Sequence, residues 1–219
     1  MVAFFVLNIH KHERRFNLYY PSLNMPTPRQ PIAITGIACR FPGANNYQQY
    51  WKNLIAGKDS VSEIPKERWD WREYYGDPQK PNKTNSKWGG FIEDIDKFDA
   101  GFFGISPKEA ELMDPQQRLM LELSWACLED AGYTPESLSG SNTGVFIGVA
   151  NYDYKELLEK HLPAAEAHQG TGSYISIIPN RISYFLNLHG PSMAIAPPAP
   201  APCLLWIMGV RRFSKGKAT

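Results

Sequence analysis

Apolar and polar positions along this chain follow two periods, and the switches between them mark out its elements. Ile32 to Ala38 is almost unbroken apolar sequence just after Pro31, which predicts a buried strand. Tyr47, Trp51, Leu54 and Ile55 recur at helical spacing, and Gly57 stands where a left-handed residue would close that helix. From Lys58 to about Gly101 the period dissolves into a polar stretch rich in proline and in Trp69, Trp71, Tyr74, Tyr75, Trp88 and Phe91. A loop of this length inside a compact domain is usually functional or packed by its own side chains, and its aromatics argue against disorder. Helical punctuation then returns. Ser106-Pro107-Lys108-Glu109 reads as a capping box, with the serine accepting from the helix and the glutamate reaching back to the cap. Asp114-Pro115 opens a longer helix with Leu119, Leu123, Ala126 and Cys127 on one face and a stop at Gly132.

The remainder alternates strand and helix. Thr143 to Ala150 predicts a strand with Val145, Ile147 and Val149 inward, and Asp153 to Lys160 a short charged helix. Between Ile175 and Leu188, Ile178, Ile182, Phe185 and Leu186 fall near helical spacing, with Pro179 starting or kinking that helix. His189-Gly190-Pro191 ends it, and Ser192 to Ile195 begins another strand. Strands separated by helices imply an α/β layered domain with some parallel pairing.

Composition narrows the function. The chain has 219 residues, 43% hydrophobic and 21% charged, with a formal net charge of +1, which gives no electrostatic case for nucleic acid or an anionic membrane. Cys39, Cys127 and Cys203 are far apart and odd in number, so they suggest neither a disulfide framework nor a metal cluster, and a reducing, cytoplasmic setting is expected. The five histidines are scattered as well, which argues against zinc. The opening MVAFFVLNIHKHERR has a short apolar run with its basic residues behind it, the wrong order for a secretory signal. Residues 1–30 are therefore expected to be an N-terminal extension without fixed structure, with a second start at Met25.

No single motif carries a reaction. Gly170-Thr171-Gly172 lacks the lysine of a phosphate loop and reads as a tight turn. Asp94, Asp96 and Asp99 lack the glycine and terminal glutamate of a calcium loop and read as a solvated turn. Asp114 is better read as a cap than as a catalytic carboxylate, Arg118 and Arg181 as ion-pair or packing residues, and Cys127 as a small buried hydrophobe.

The order of motifs is far more specific. PIAITGIACRFPGA, WGGFIEDIDKFDAGFFGISPKEAELMDPQQRLMLELSWACLEDAGY, TGVFIGV and NRISYFLNLHGPSMAI together resemble the N-terminal part of a β-ketoacyl synthase, most closely the ketosynthase domain of modular polyketide synthases. The resemblance runs from about Pro31 to Ile195. It implies a thiolase-like layered fold, αβαβα, of which this chain holds the N-terminal portion. It also implies a homodimer, in which the strand Ser192, Met193, Ala194 and Ile195 approaches the partner. The implied reaction, in polyketide or fatty-acid-type biosynthesis, is decarboxylative condensation of acyl groups brought on the phosphopantetheine arm of an acyl carrier protein. No bound cofactor is implied. The chemistry needs a cysteine thiolate, donors for the thioester oxyanion, and two histidines.

The family segment after Gly-Pro-Ser runs into a sequence like Asp-Thr-Ala-Cys-Ser-Ser-Ser-Leu. Counting on from Ile195 puts Ala199 at the nucleophile, and Cys203 lies late, within a proline run. Both histidines would fall further on, so no catalytic residue is assigned. The run Ala196 to Cys203 has a simple origin in the genetic code. Delete one base from the aspartate codon GAC, and codons for Thr, Ala, Cys, Ser, Ser, Ser and Leu read out as the alanines, prolines and cysteine found here. The chain thus divides into an extension (1–30), a ketosynthase region (31–195) and an out-of-frame tail (196–219). Two functional classes follow: a condensing enzyme recorded only in its N-terminal portion, or an inert truncated product that retains at most dimer or carrier-protein contacts.

Overall fold

The computed structural model describes residues 2–8, 33–149, 151, 153–161 and 168–195. Strand β1 (Val2–Asn8) pairs antiparallel with β2 (Ala33–Arg40), from Val2↔Arg40 to Asn8↔Ala33, with a register shift between Val6 and Leu7. The expected unstructured extension is thus replaced by a strand over Val2–Asn8: Val2, Phe4, Phe5 and Val6 are strand-forming residues, and testing the leader only as a secretory signal overlooks them. Residues 9–32 and the tail 196–219 lie outside the described residues.

Helix α1 (Tyr47–Ile55) is capped by Asn46, which accepts from Gln49 N, and Gly57 follows at φ +60°, as its position predicts. The long aromatic stretch packs by its own side chains. It contains two two-residue strands that the sequence pattern does not show, β3 (Ser62–Glu63) and β4 (Trp88–Gly89), paired antiparallel, and a 3-10 turn at Trp71–Glu73. Lys87 joins them. Its ammonium sits 2.6 Å from Glu63 Oε1 and lies over the rings of Trp71 (4.6 Å) and Trp88 (4.9 Å). Trp69 meets Tyr74, and Trp71 meets Tyr75, edge to face.

Helices α2 (Pro107–Leu112) and α3 (Pro115–Ala131) begin where their serine and aspartate caps predict. Only half of the first capping box forms: Ser106 Oγ accepts from Glu109 N at 3.2 Å, but the Glu109 carboxylate turns to Arg181 instead of its own cap. Helix α3 ends at Gly132, φ +71°, and supplies the middle of the core. Leu119, Met120, Leu121, Leu123, Cys127 and Leu128 are buried. Ala126, assigned to that face from its spacing, is exposed and lines a recess of about 210 Å³ beside Ile37, Tyr47 and Asp130. A short helix α4 (Pro135–Leu138), capped by Thr134, precedes β5 (Val145–Gly148). After α5 (Asp153–His161) come α6 (Gln169–Ser173) and α7 (Ile177–Phe185), with Pro179 buried in the first turn of α7. The chain then enters β6 (Ser192–Ile195), which pairs parallel with β5 as the βα alternation requires.

One core joins these parts: Ala38 from β2, the inward face of α3, Val145 and Ile147 from β5 with Val149, and Ile178 and Ile182 from α7. Phe102 and Phe103 extend it, meeting Trp125 (4.8 Å) and Phe185 (5.0 Å) respectively. Strand β2 and helix α3 approach each other closely. A side-chain carbon at Gly36 would collide with the Cys127 carbonyl oxygen and lie 2.7 Å from Ala131 Cβ. Only glycine lets strand and helix meet at this depth.

Candidate functional site

The segment that leads to the expected nucleophile is β6, and its position is fixed from two sides. On one side the parallel ladder holds it, from Val145↔Ser192 to Gly148↔Ile195, extended by Val145 N to Pro191 O (2.8 Å) and Val149 N to Ile195 O (3.0 Å). On the other, Ser192 Oγ and Asn180 Oδ1 of α7 are 2.7 Å apart, the hydroxyl donating. Ser192, Met193, Ala194 and Ile195 are all half-buried. Ala199 and Cys203 lie outside the described residues.

Helix α7 is itself held by a polar clip that joins four helices. Arg181 Nη2 lies 2.7 Å from Glu109 Oε1 of α2, and its Nε donates to Gln117 Oε1 of α3 at 2.8 Å. Gln117 is buried, and its Nε2 donates onward to the carbonyls of Thr171 (3.0 Å) and Gly172 (2.9 Å) in α6. The Gly172 carbonyl also accepts from Asp114 N at 2.8 Å. The clip is one ion pair continued by hydrogen bonds, between partners that burial would otherwise leave costly. Gly170-Thr171-Gly172 is therefore a helical docking point; the tight turn read from its glycines is one turn of helix pressed against α2. A side-chain carbon at Gly172 would collide with the Leu112 carbonyl oxygen and lie 2.7 Å from its carbonyl carbon. Both are backbone atoms, so no rotamer change relieves the clash. Gly172→Ala is expected to lower stability by about 2–3 kcal/mol. A urea midpoint equal to that of the wild type would show that α6 does not dock there.

The remaining candidates occupy structural positions. Asp114 caps α3, accepting from Gln116 N at 2.8 Å, and burial pushes its carboxyl above the usual carboxylate range against the opposing pull of the Gln116 donors. A raised carboxyl favours the folded state below the unfolded value near 4 and loses that contribution as pH rises through its folded value. Asn caps equally well but does not titrate. Asp114→Asn should therefore gain stability relative to wild type between acid and neutral pH, as followed by urea unfolding at each pH. A difference that is flat or opposite in sign would refute this. Arg118 of α3 donates to the Asp96 carbonyl at 3.4 Å, while Asp94 pairs with Lys97 at 2.7 Å, so the acidic turn is held by its own lysine and by α3. Among the described residues no cluster of His, Cys, Asp or Glu has the makings of a metal site. Cys39 and Cys127 are both buried, and burial pushes the Cys39 thiol up, away from the thiolate a nucleophile needs.

Against known families, the model described as β-ketoacyl synthase, N-terminal domain, matches residues 29–196. This chain belongs to the β-ketoacyl synthase family. The ketosynthase sequence is 58% identical over 164 residues to polyketide synthase PksN of Bacillus subtilis (strain 168), covering 74% of this chain and 3% of that protein. It is 48% identical over 177 residues to 6-methylsalicylic acid synthase of Aspergillus terreus, covering 80% of this chain and 10% of that protein. The chain thus spans a small part of the curated relatives it matches. Among solved structures, the oxazolomycin ketosynthase domain OzmH KS7 of Streptomyces albus JA3453 superposes with TM-score 0.74 at 37% identity, over 83% of this chain and 32% of that one. A ketosynthase from module 6 of the Bacillus subtilis bacillaene synthase gives TM-score 0.70 at 34% identity, over 82% of this chain and 28% of that one. The fold is therefore the N-terminal portion of the thiolase-like ketosynthase architecture. The Arg181–Glu109–Gln117 clip of this ketosynthase region is not visible from sequence motifs, because its members lie on separate helices.

Proposed function

We propose that residues 31–195 are the N-terminal region of a polyketide-type ketosynthase and that the frame departs from the family after Ile195, leaving this 219-residue chain unable to form an acyl-enzyme. One observation carries the reading: the family match stops at residue 196, where the alanine–proline alternation begins and where a single lost base accounts for each residue to Cys203. In the intact reaction a cysteine thiolate takes the acyl group from carrier-protein phosphopantetheine, releasing the carrier thiol. A malonyl-type extender on a second carrier then loses CO₂, and the carbanion attacks the acyl thioester. The β-ketoacyl carrier leaves, and the cysteine thiol is restored. Oxyanion donors and two histidines would stabilise the developing charge. None of those groups is assigned in this chain.

Carrier protein and a second copy of the ketosynthase are the partners this reading implies, in the cytoplasm. The second copy would meet β6, which stands at the edge of the β5–β6 pair. Among the described residues no helix is long and apolar enough to cross a membrane. The nucleotide sequence across codons 190–205 and downstream, read in three frames, tests the proposal. A restored frame encoding Asp-Thr-Ala-Cys-Ser-Ser-Ser-Leu and a continuing ketosynthase is expected. Alanine and proline codons that do not yield that sequence on insertion of one base would end it.

A further inference from the structure

The pairing of β1 with β2 joins a segment outside the family match to one inside it. β1 ends at Asn8, well before residue 29 where the match starts, whereas β2 lies wholly within it. The contact nonetheless runs the full length of both strands. The opposite edge of β2 is treated differently: Ile37 N–H donates to Asp130 Oδ2 at 2.9 Å, and Asp130 Oδ1 accepts from the Tyr47 hydroxyl at 3.3 Å. In an antiparallel pair alternate residues turn their N–H groups to the partner. With the Ile37 N–H engaged by Asp130, the neighbouring positions Gly36 and Ala38 face β1, opposite Val6 and Phe4. One edge of β2 is closed by a side chain, and the other requires a strand.

Two features make that strand exchangeable. Residues 9–32 separate β1 from β2 along the sequence, far more chain than the two to five residues of an ordinary hairpin loop. The register also shifts between Val6 and Leu7, which interrupts the ladder. β2 and the β5–β6 pair contribute to one core yet remain separate sheets. The solved ketosynthases are about three times as long as the part matched here.

We propose that the β1-facing edge of β2 is a strand-acceptor site, occupied in cis by Val2–Asn8 as a detachable strap. Main-chain hydrogen bonds supply the affinity of such strand addition, and the tether supplies a high local concentration. Capping this edge removes a template for aggregation. The inference rests on family membership and is independent of where the reading frame departs.

Hydrogen exchange on the 219-residue chain tests it, alongside Phe4→Pro, which removes a ladder N–H opposite Ala38. The amides of Gly36 and Ala38, which face β1, should exchange at least tenfold faster in the variant, with those of Ile37, bonded to Asp130, and of α3 unchanged. A free VAFFVLN peptide with capped ends and a solubilising lysine tail should restore their protection. Equal protection of Gly36 and Ala38 in both proteins would overturn the proposal. So would loss of α3 protection in the variant, which would make β1 part of the folding core, or failure of the peptide to restore protection.

Discussion

Offered a radiolabelled acyl group on carrier-protein phosphopantetheine, the 219-residue chain is expected to retain no label after denaturing precipitation. Thioester exchange needs an accessible thiolate, since the neutral thiol is a poor nucleophile. Cys127 has 0% of its surface exposed and Cys39 4%, and burial raises the Cys39 thiol. Neither lies at the end of β6, where the proposed reading expects the nucleophile and counts to Ala199, and Cys203 falls four residues past that position. A chain with one base restored after Ile195 should instead take label that neutral hydroxylamine removes, as a thioester requires. Iodoacetamide at neutral pH provides the internal check: Cys39 and Cys127 should resist it in the native chain and react in urea. Hydroxylamine-labile label on the unrestored chain would sink the proposal that it is inert.

Replacing Arg181 by Met should be the most damaging single change to the fold. The Arg181 and Glu109 side chains are 15% and 20% exposed, so water reaches them only in part. The variant would leave Glu109 without its guanidinium partner, with only the His168 ring 4.0 Å away, and Gln117 Oε1 without its donor, all within the α2–α3–α6–α7 junction. Breaking a buried ion pair by removing one member costs about 3–5 kcal/mol, and residual exposure places this one near the lower end. The decisive measurement is a double-mutant cycle with Glu109→Gln, using urea midpoints. Because the second change removes the stranded charge, the double variant should be less destabilised than the sum of the singles. Strict additivity would mean that the two side chains do not interact in solution.

What the sequence made legible follows from the range of each interaction. Caps act over three or four residues, so Ser106, Asp114 and Gly132 announce the ends of α2 and α3 without tertiary information. The alternation of Val145, Ile147 and Val149 likewise reports burial directly. The Glu109 carboxylate shows the limit. A local rule turns it back to its own cap, but a charged partner on α7 offers a stronger bond, so the tertiary contact prevails. Strands β3 and β4 have two residues each and carry no period to read. At β1 the apolar run was plain, but a partner so far along the chain was not, and the basic residues behind it drew attention to targeting. The candidate site was legible through motif order alone, since the cap and ion-pair residues near β6 have no reactive signature of their own.

The glycine contact between β2 and α3 has a practical consequence for anyone recombining modules. Gly36 lies against the last turns of α3, and Ile37 donates to Asp130 at the same place, so strand and helix form one inseparable piece although a long aromatic loop divides them in the gene. A crossover placed in that loop would mate the β2 of one parent with the α3 of another, and a bulkier residue at either surface would wedge them apart. Junctions before Ala33 or beyond Gly132 keep both halves of the contact from the same parent.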